Sequence, residues 1–138
     1  MLYRKVLKAF IVNERNDTLR SILIVDDSTF LRKRVRQALQ DQGYTLVEAD
    51  SGLSALKEIE NQQFSCIVTD LVMPGMDGFG LLAEIQKRHL TAPVVVLTAD
   101  VQKTTHDRCA ELGASAFIQK PVNPDVLRSV VSGIVGGR

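Results

Sequence analysis

The chain has 138 residues, 45% hydrophobic and 24% charged, which is enough to bury one core and too few for two, so a single soluble domain is expected. Its net charge of +1 is unevenly spread: residues 1–20 hold five Lys or Arg against two Asp or Glu, leaving a slightly acidic body behind a basic leader. That body lacks the basic stripe of a nucleic-acid-binding module, no apolar run approaches the ~20 residues of a membrane helix, and two cysteines make neither a disulfide framework nor a metal knuckle.

Residues 1–19 step Leu2, Val6, Ala9 or Phe10 and Asn13 round one helical face, with Arg4, Lys5 and Lys8 off it. They read as a short amphipathic helix or arm. Only Ala9 to Val12 forms an apolar run, too short for a signal peptide. Asn16-Asp17-Thr18 reads as the linker into a domain over residues 20–138.

Ser21 to Val25 is a buried strand ending at Asp26-Asp27. Ser28 or Asp27 can cap the helix that follows, in which Leu31, Val35, Ala38 and Leu39 repeat at helical spacing until Gly43. Arg32, Lys33, Arg34 and Arg36 occupy the other faces and read as a solvated basic surface rather than an anion site. Thr45 to Glu48 is a short, less apolar strand suited to a sheet edge. Ser51 caps a second helix, on which Leu53, Leu56 and Ile59 outline a stripe to about Gln62.

Cys66-Ile67-Val68 is apolar without alternation, as in a strand covered on both faces, and it stops at Asp70. Pro74, Gly75 and Asp77-Gly78 then supply turn chemistry before a helix from Phe79 to His89. Val94 to Leu97 is a fourth buried strand ending at Thr98. Gln102 to Leu112 is helical and closes at Gly113, a natural left-handed cap. Ala116 to Ile118 is the last strand, ending at Gln119-Lys120-Pro121. Pro124 opens a final helix carrying Val126, Leu127, Val130, Val131 and Ile134, and Gly136-Gly137 ends it. Both cysteines, Cys66 and Cys109, fall in apolar patterns and are expected buried and reduced, in keeping with a cytoplasmic protein.

Five strands alternating with five helices predict an α/β fold with a parallel sheet covered on both faces. Alternation alone leaves the strand order open. In such a sheet the carboxyl ends share one edge, so Asp26, Asp27, Asp70, Thr98 and Lys120 are brought together from about a hundred positions. Each is weak evidence singly: an Asp pair before a helix is usually a cap, a strand-ending Thr structural, a Lys-Pro pair a turn. Together they carry chemistry. Three close carboxylates repel one another, and a few oxygens with the remaining positions left to water suit Mg²⁺ better than a Ca²⁺ cage. A cation, an ammonium and a hydroxyl around one more carboxylate can hold phosphoryl oxygens while that carboxylate attacks phosphorus.

The blocks ILIVDDS, IVTDLVMPGMDG, VVVLTAD and GASAFIQKPV, in that order, resemble the receiver domain of two-component response regulators, and are most similar to its single-domain, chemotaxis-type members. The resemblance covers about Arg20 to Val135. It implies a flavodoxin-like, doubly wound five-stranded sheet in the order 2-1-3-4-5, with Asp70 as phosphoacceptor. It also implies that Asp26, Asp27 and Asp70 bind Mg²⁺ together with the main-chain carbonyl of Val72. Thr98 and Lys120 would each take a phosphoryl oxygen, and the Lys120-Pro121 peptide would be cis. Thr98 and Phe117 would form the switch pair. Val72 and Asp100 would flank the path of an attacking water, and Ser115 stands where many DNA-binding members carry an acid, which argues for a monomer or weak dimer. His89 and His106 fall in no matched block and read as surface residues.

The implied function is a phosphorylation-dependent signalling switch without its own output domain. A histidine kinase or histidine phosphotransfer protein would charge it, and another protein would read it. Two alternatives stay open: a small Mg²⁺-dependent phosphohydrolase working through an aspartyl-phosphate, and an interaction module with vestigial phosphorylation that docks by its basic leader.

Overall fold

The computed structural model describes residues 20–136, so the expected leader helix lies outside the described residues. Five strands are present: β1 (Arg20–Val25), β2 (Tyr44–Ala49), β3 (Cys66–Asp70), β4 (Val94–Thr98) and β5 (Ala116–Gln119). They alternate with helices α1 (Thr29–Leu39), α2 (Gly52–Asn61), α3 (Gly78–Lys87), α4 (Lys103–Glu111) and α5 (Pro124–Gly136). All neighbouring strands pair in parallel, in the order β2-β1-β3-β4-β5. The expected doubly wound, flavodoxin-like sheet is therefore the fold.

Alternate residues of each strand feed two cores, because successive side chains point to opposite faces. Leu23, Val25, Ile67, Val94 and Val96 pack with Leu56, Leu81, Leu82 and Cys109 of α2, α3 and α4. Ile22, Ile24, Val68, Val95 and Leu97 pack with Val35 and Leu39 of α1 and with Leu127 and Val131 of α5. Each fully buried aliphatic side chain contributes about 1.5–3 kcal/mol of transfer free energy. Both faces of the central strands are thus apolar, which is why they show no alternation of polar residues.

Helix starts at Ser28 and Ser51 follow the expected caps, and Asp77, expected only as a turn residue, caps a third. The side chains of Ser28, Ser51 and Asp77 accept from the main-chain N–H of Leu31, Ser54 and Gly80 respectively. Helix ends differ more. The first helix stops at Leu39 rather than running to Gly43, and Asp41 and Gly43 both take positive φ in the loop beyond it. α3 stops at Lys87 because His89, at φ 55°, forms a left-handed cap: His89 N–H donates to Gln86 O and Leu90 N–H to Ile85 O. Gly113, at φ 93°, makes the same closure for α4, as expected.

Two residues placed on apolar stripes face solvent instead. Leu53 is 63% and Val126 45% exposed. On α5 the residues that meet the sheet are Leu127, Val131 and Val135, with Val130 and Ile134 half-buried, so the buried stripe is turned one position from the expected one. Cys66 and Cys109 are buried.

Candidate functional site

Each predicted polar residue sits at or just past the carboxyl end of a strand. Asp70 closes β3 and Thr98 closes β4, while Asp26 and Asp27 follow β1 and Lys120 follows β5. The turn beyond Asp70 is tight: Gly78 N–H donates to Leu71 O at 2.9 Å, and a Cβ on Gly78 would lie 2.5 Å from Asp70 O. Only glycine lets α3 begin so close to the end of β3.

Carboxylate oxygens of Asp26, Asp27 and Asp70 lie within 4.8 Å of one another. Lys120 Nζ stands 3.2 Å from Asp70 Oδ1 and 3.7 Å from Asp26 Oδ2. Asp70 Oδ1 also accepts from Leu71 N–H at 2.8 Å, and Asp26 Oδ1 from Ser28 N–H at 2.9 Å. Asp26 is 3% and Asp70 8% exposed, whereas Asp27 faces solvent.

Burial pushes the Asp26 carboxyl above its ordinary range; the charges of Asp70 and Asp27 push the same way, against the Ser28 N–H and the Lys120 ammonium. Three acids with one lysine among them leave an excess of negative charge in a partly buried cleft. The donor set is all oxygen, two of its members are buried, and its natural complement is a hard divalent cation.

Thr98 Oγ1 accepts from Asp100 N–H at 3.1 Å. The Asp100 carboxylate is held in turn by the Thr105 hydroxyl at 2.7 Å and by Gln102 N–H at 2.9 Å, and these bonds, Thr105 first, hold it below the usual carboxylate range. A cavity of about 170 Å³ lies between Val72, Met73, Thr98, Asp100 and Thr105. Val72 is 76% exposed. Phe117, opposite Val96 in the sheet, is half-buried, and its ring meets that of His106 edge-on with centroids 4.8 Å apart. His106 is therefore a surface residue with a partner, while His89 serves as the cap of α3. The Lys120-Pro121 peptide is cis, as expected.

The expected solvated basic face of α1 holds for Lys33 and Arg34, which are exposed, and needs correcting for Arg32 and Arg36. Arg32 Nε donates to Glu48 Oε1 at 3.0 Å and Arg36 Nε to Glu48 Oε2 at 2.7 Å. Arg32 also donates to Asp26 O, and Arg36 to Leu46 O. Arg36, then Arg32, holds the Glu48 carboxyl below its ordinary range against the opposing effect of burial. The signal was an acid in a strand whose neighbour helix carries two arginines four apart on one face, and it is visible only once α1 is known to lie over β2.

A family description, "Response regulator receiver domain", matches residues 22–132. The chain is 36% identical over 118 residues to the chemotaxis protein CheY of Pseudomonas aeruginosa, a match covering 82% of this chain and 94% of that one. It is 34% identical over 119 residues to the sensor histidine kinase RcsC of Salmonella typhimurium, where the match covers 86% of this chain and only 12% of the relative's length. Among solved structures, Vibrio cholerae CheY4 superposes with a TM-score of 0.78 at 30% identity, over 84% of this chain and 98% of that one. The sheet order, the acids gathered at its carboxyl edge and these likenesses together make the chain a member of the response regulator receiver family, whose general function is a phosphorylation-dependent switch in two-component signalling.

Proposed function

We propose that Asp70 accepts a phosphoryl group from a phosphohistidine of a histidine kinase or a histidine phosphotransfer protein. An Asp70 carboxylate oxygen forms the new bond to phosphorus as the bond from phosphorus to the imidazole nitrogen breaks, and the released imidazole takes up a proton from solvent. Leu71 N–H holds one carboxylate oxygen in place. Lys120 Nζ, already within reach of Asp70 and Asp26, neutralises charge on one phosphoryl oxygen, and the Thr98 hydroxyl donates to another. Asp26, Asp27, Asp70 and the Val72 carbonyl would hold Mg²⁺, which supplies positive charge to the transferring phosphoryl oxygens.

The switch follows from the same contacts. When Thr98 turns toward the phosphoryl group it gives up Asp100 N–H, and Phe117 leaves His106 for the space beside β4. This rearranges the surface of α4, β5 and α5 that a partner protein reads.

The observation that carries the reading is the Lys120 ammonium bridging Asp70 and Asp26 beside a third carboxylate. A phosphohydrolase of the aspartyl-phosphate type would want a second acid two residues beyond Asp26, where Ser28 instead caps α1. Incubation with acetyl phosphate and Mg²⁺ is expected to add one phosphoryl group by intact mass, and Asp70→Asn to abolish it. An unlabelled wild type would defeat the proposal. Removing residues 1–19 and retaining both labelling and phosphorylation-dependent partner capture would set aside a docking role for the leader.

A further inference from the structure

We infer that Arg32, anchored by Glu48, is a positioning residue for the cation site: it fixes the peptide that joins Asp26 to Asp27, and so the aim of both carboxylates. This rests on the proposed role of those two acids. All four polar atoms of Asp26 are engaged. Its N–H donates to Ala49 O at 3.2 Å, Oδ1 accepts from Ser28 N–H at 2.9 Å, and Oδ2 faces Lys120 Nζ at 3.7 Å. Its carbonyl accepts from Arg32 Nη1 at 2.5 Å. The first three partners are main chain or belong to the site itself, so among the described residues Arg32 is the side chain from outside the site that ties this peptide to the scaffold.

The Arg32 side chain is 13% exposed, and its Nε is held by Glu48 Oε1. Glu48 sits on the edge strand β2, and its second oxygen is taken by Arg36, which reaches on to Leu46 O. A line of bonds thus runs from the sheet edge to the Asp26 carbonyl. A guanidinium suits this place because its planar fork presents Nε and Nη1 in fixed directions, one to the carboxylate and one to the carbonyl; a lysine carries the same charge but no fork. Groups that orient metal ligands in this way govern affinity without touching the metal.

Arg36 provides an internal control, because it shares Glu48 but bonds Leu46 instead of the acidic loop. The test is a Mg²⁺ titration of ¹⁵N-labelled full chain, followed by the amide shifts of Asp26 to Ser28, with thermal melting alongside. Arg32→Lys is expected to raise the Mg²⁺ Kd about 10-fold, while Arg36→Lys leaves the Kd unchanged although both variants lower Tm. Exchange of the Ser28 amide with solvent should quicken in Arg32→Lys alone. If Arg32→Lys does not fold, Glu48→Gln, which keeps Arg32 but weakens its anchor, is expected to raise Kd relative to Arg36→Lys. Equal Mg²⁺ affinity across wild type and these variants would overturn the role given to Arg32 and leave Asp70 chemistry standing. Wild-type shifts that ignore Mg²⁺ would remove the cation site itself.

Discussion

On the β1 and β3 side of the carboxyl edge, Asp26 has a partner for every polar atom and Asp70 is held by Leu71 N–H and Lys120. On the β4 and β5 side, Thr98 Oγ1 accepts one main-chain bond and Phe117 is half-buried against a surface histidine. The covering helices repeat the contrast. α1 buries Val35, Ala38 and Leu39, whereas α4 buries Cys109 alone. Phosphoryl transfer gains from groups fixed before the reaction, while a readout needs an element whose alternative packing costs little. Under the proposed function the two demands fall at opposite ends of the carboxyl edge, and Lys120, at the end of β5, reaches across to the acids.

Removing packing tests the contrast most strongly. Leu39→Ala on the α1 side should cost about 2–5 kcal/mol, against about 1 kcal/mol for Cys109→Ala on the α4 side, as measured by urea unfolding. Equal losses would erase the proposed difference in packing. Lys120→Ala removes the ammonium that reaches from the end of β5 to Asp70 and Asp26. It should slow phosphoryl incorporation at saturating Mg²⁺ by about 100-fold, read by intact mass against time, with the fold retained.

Asp26→Asn takes one charge out of the crowded cluster and, without divalent cations, should raise stability by about 1 kcal/mol. A loss instead would mean that Ser28 N–H and Lys120 stabilise the Asp26 carboxylate by more than burial and the neighbouring acids cost it. The smallest effect belongs to Glu48. Its carboxyl lies below the ordinary range chiefly through Arg36, so its contribution is present above the unfolded value of about 4.3 and fades as pH falls through the lower folded value. Glu48→Gln should therefore lose less stability than wild type on acidification below about pH 5.

Much of the architecture was legible because it is written in local periodicity. Apolar runs without alternation mark strands buried on both faces, and they ended where Asp26, Asp70, Thr98 and Lys120 stand. Ser28 and Ser51 announced helix starts through a hydroxyl three residues before an N–H. Helix ends were harder to read. His89 closes α3 in a conformation usually left to glycine, and nothing in its side chain advertises that. Leu53 and Val126 failed for a related reason, since a stripe read at 3.6 residues per turn does not say which edge of it meets the sheet.

The amino-acid order by itself determined the alternation of strands and helices and the chemical character of the residues at each strand end, because both depend on neighbours within a few positions. Tertiary structure alone decided that Arg32 leaves the solvent to bond Glu48, 16 residues away, and the carbonyl of Asp26, and that His106 meets Phe117. Those contacts depend on how each helix is rotated over the sheet. That rotation is set by the summed packing of the whole core, and no short window of sequence contains it.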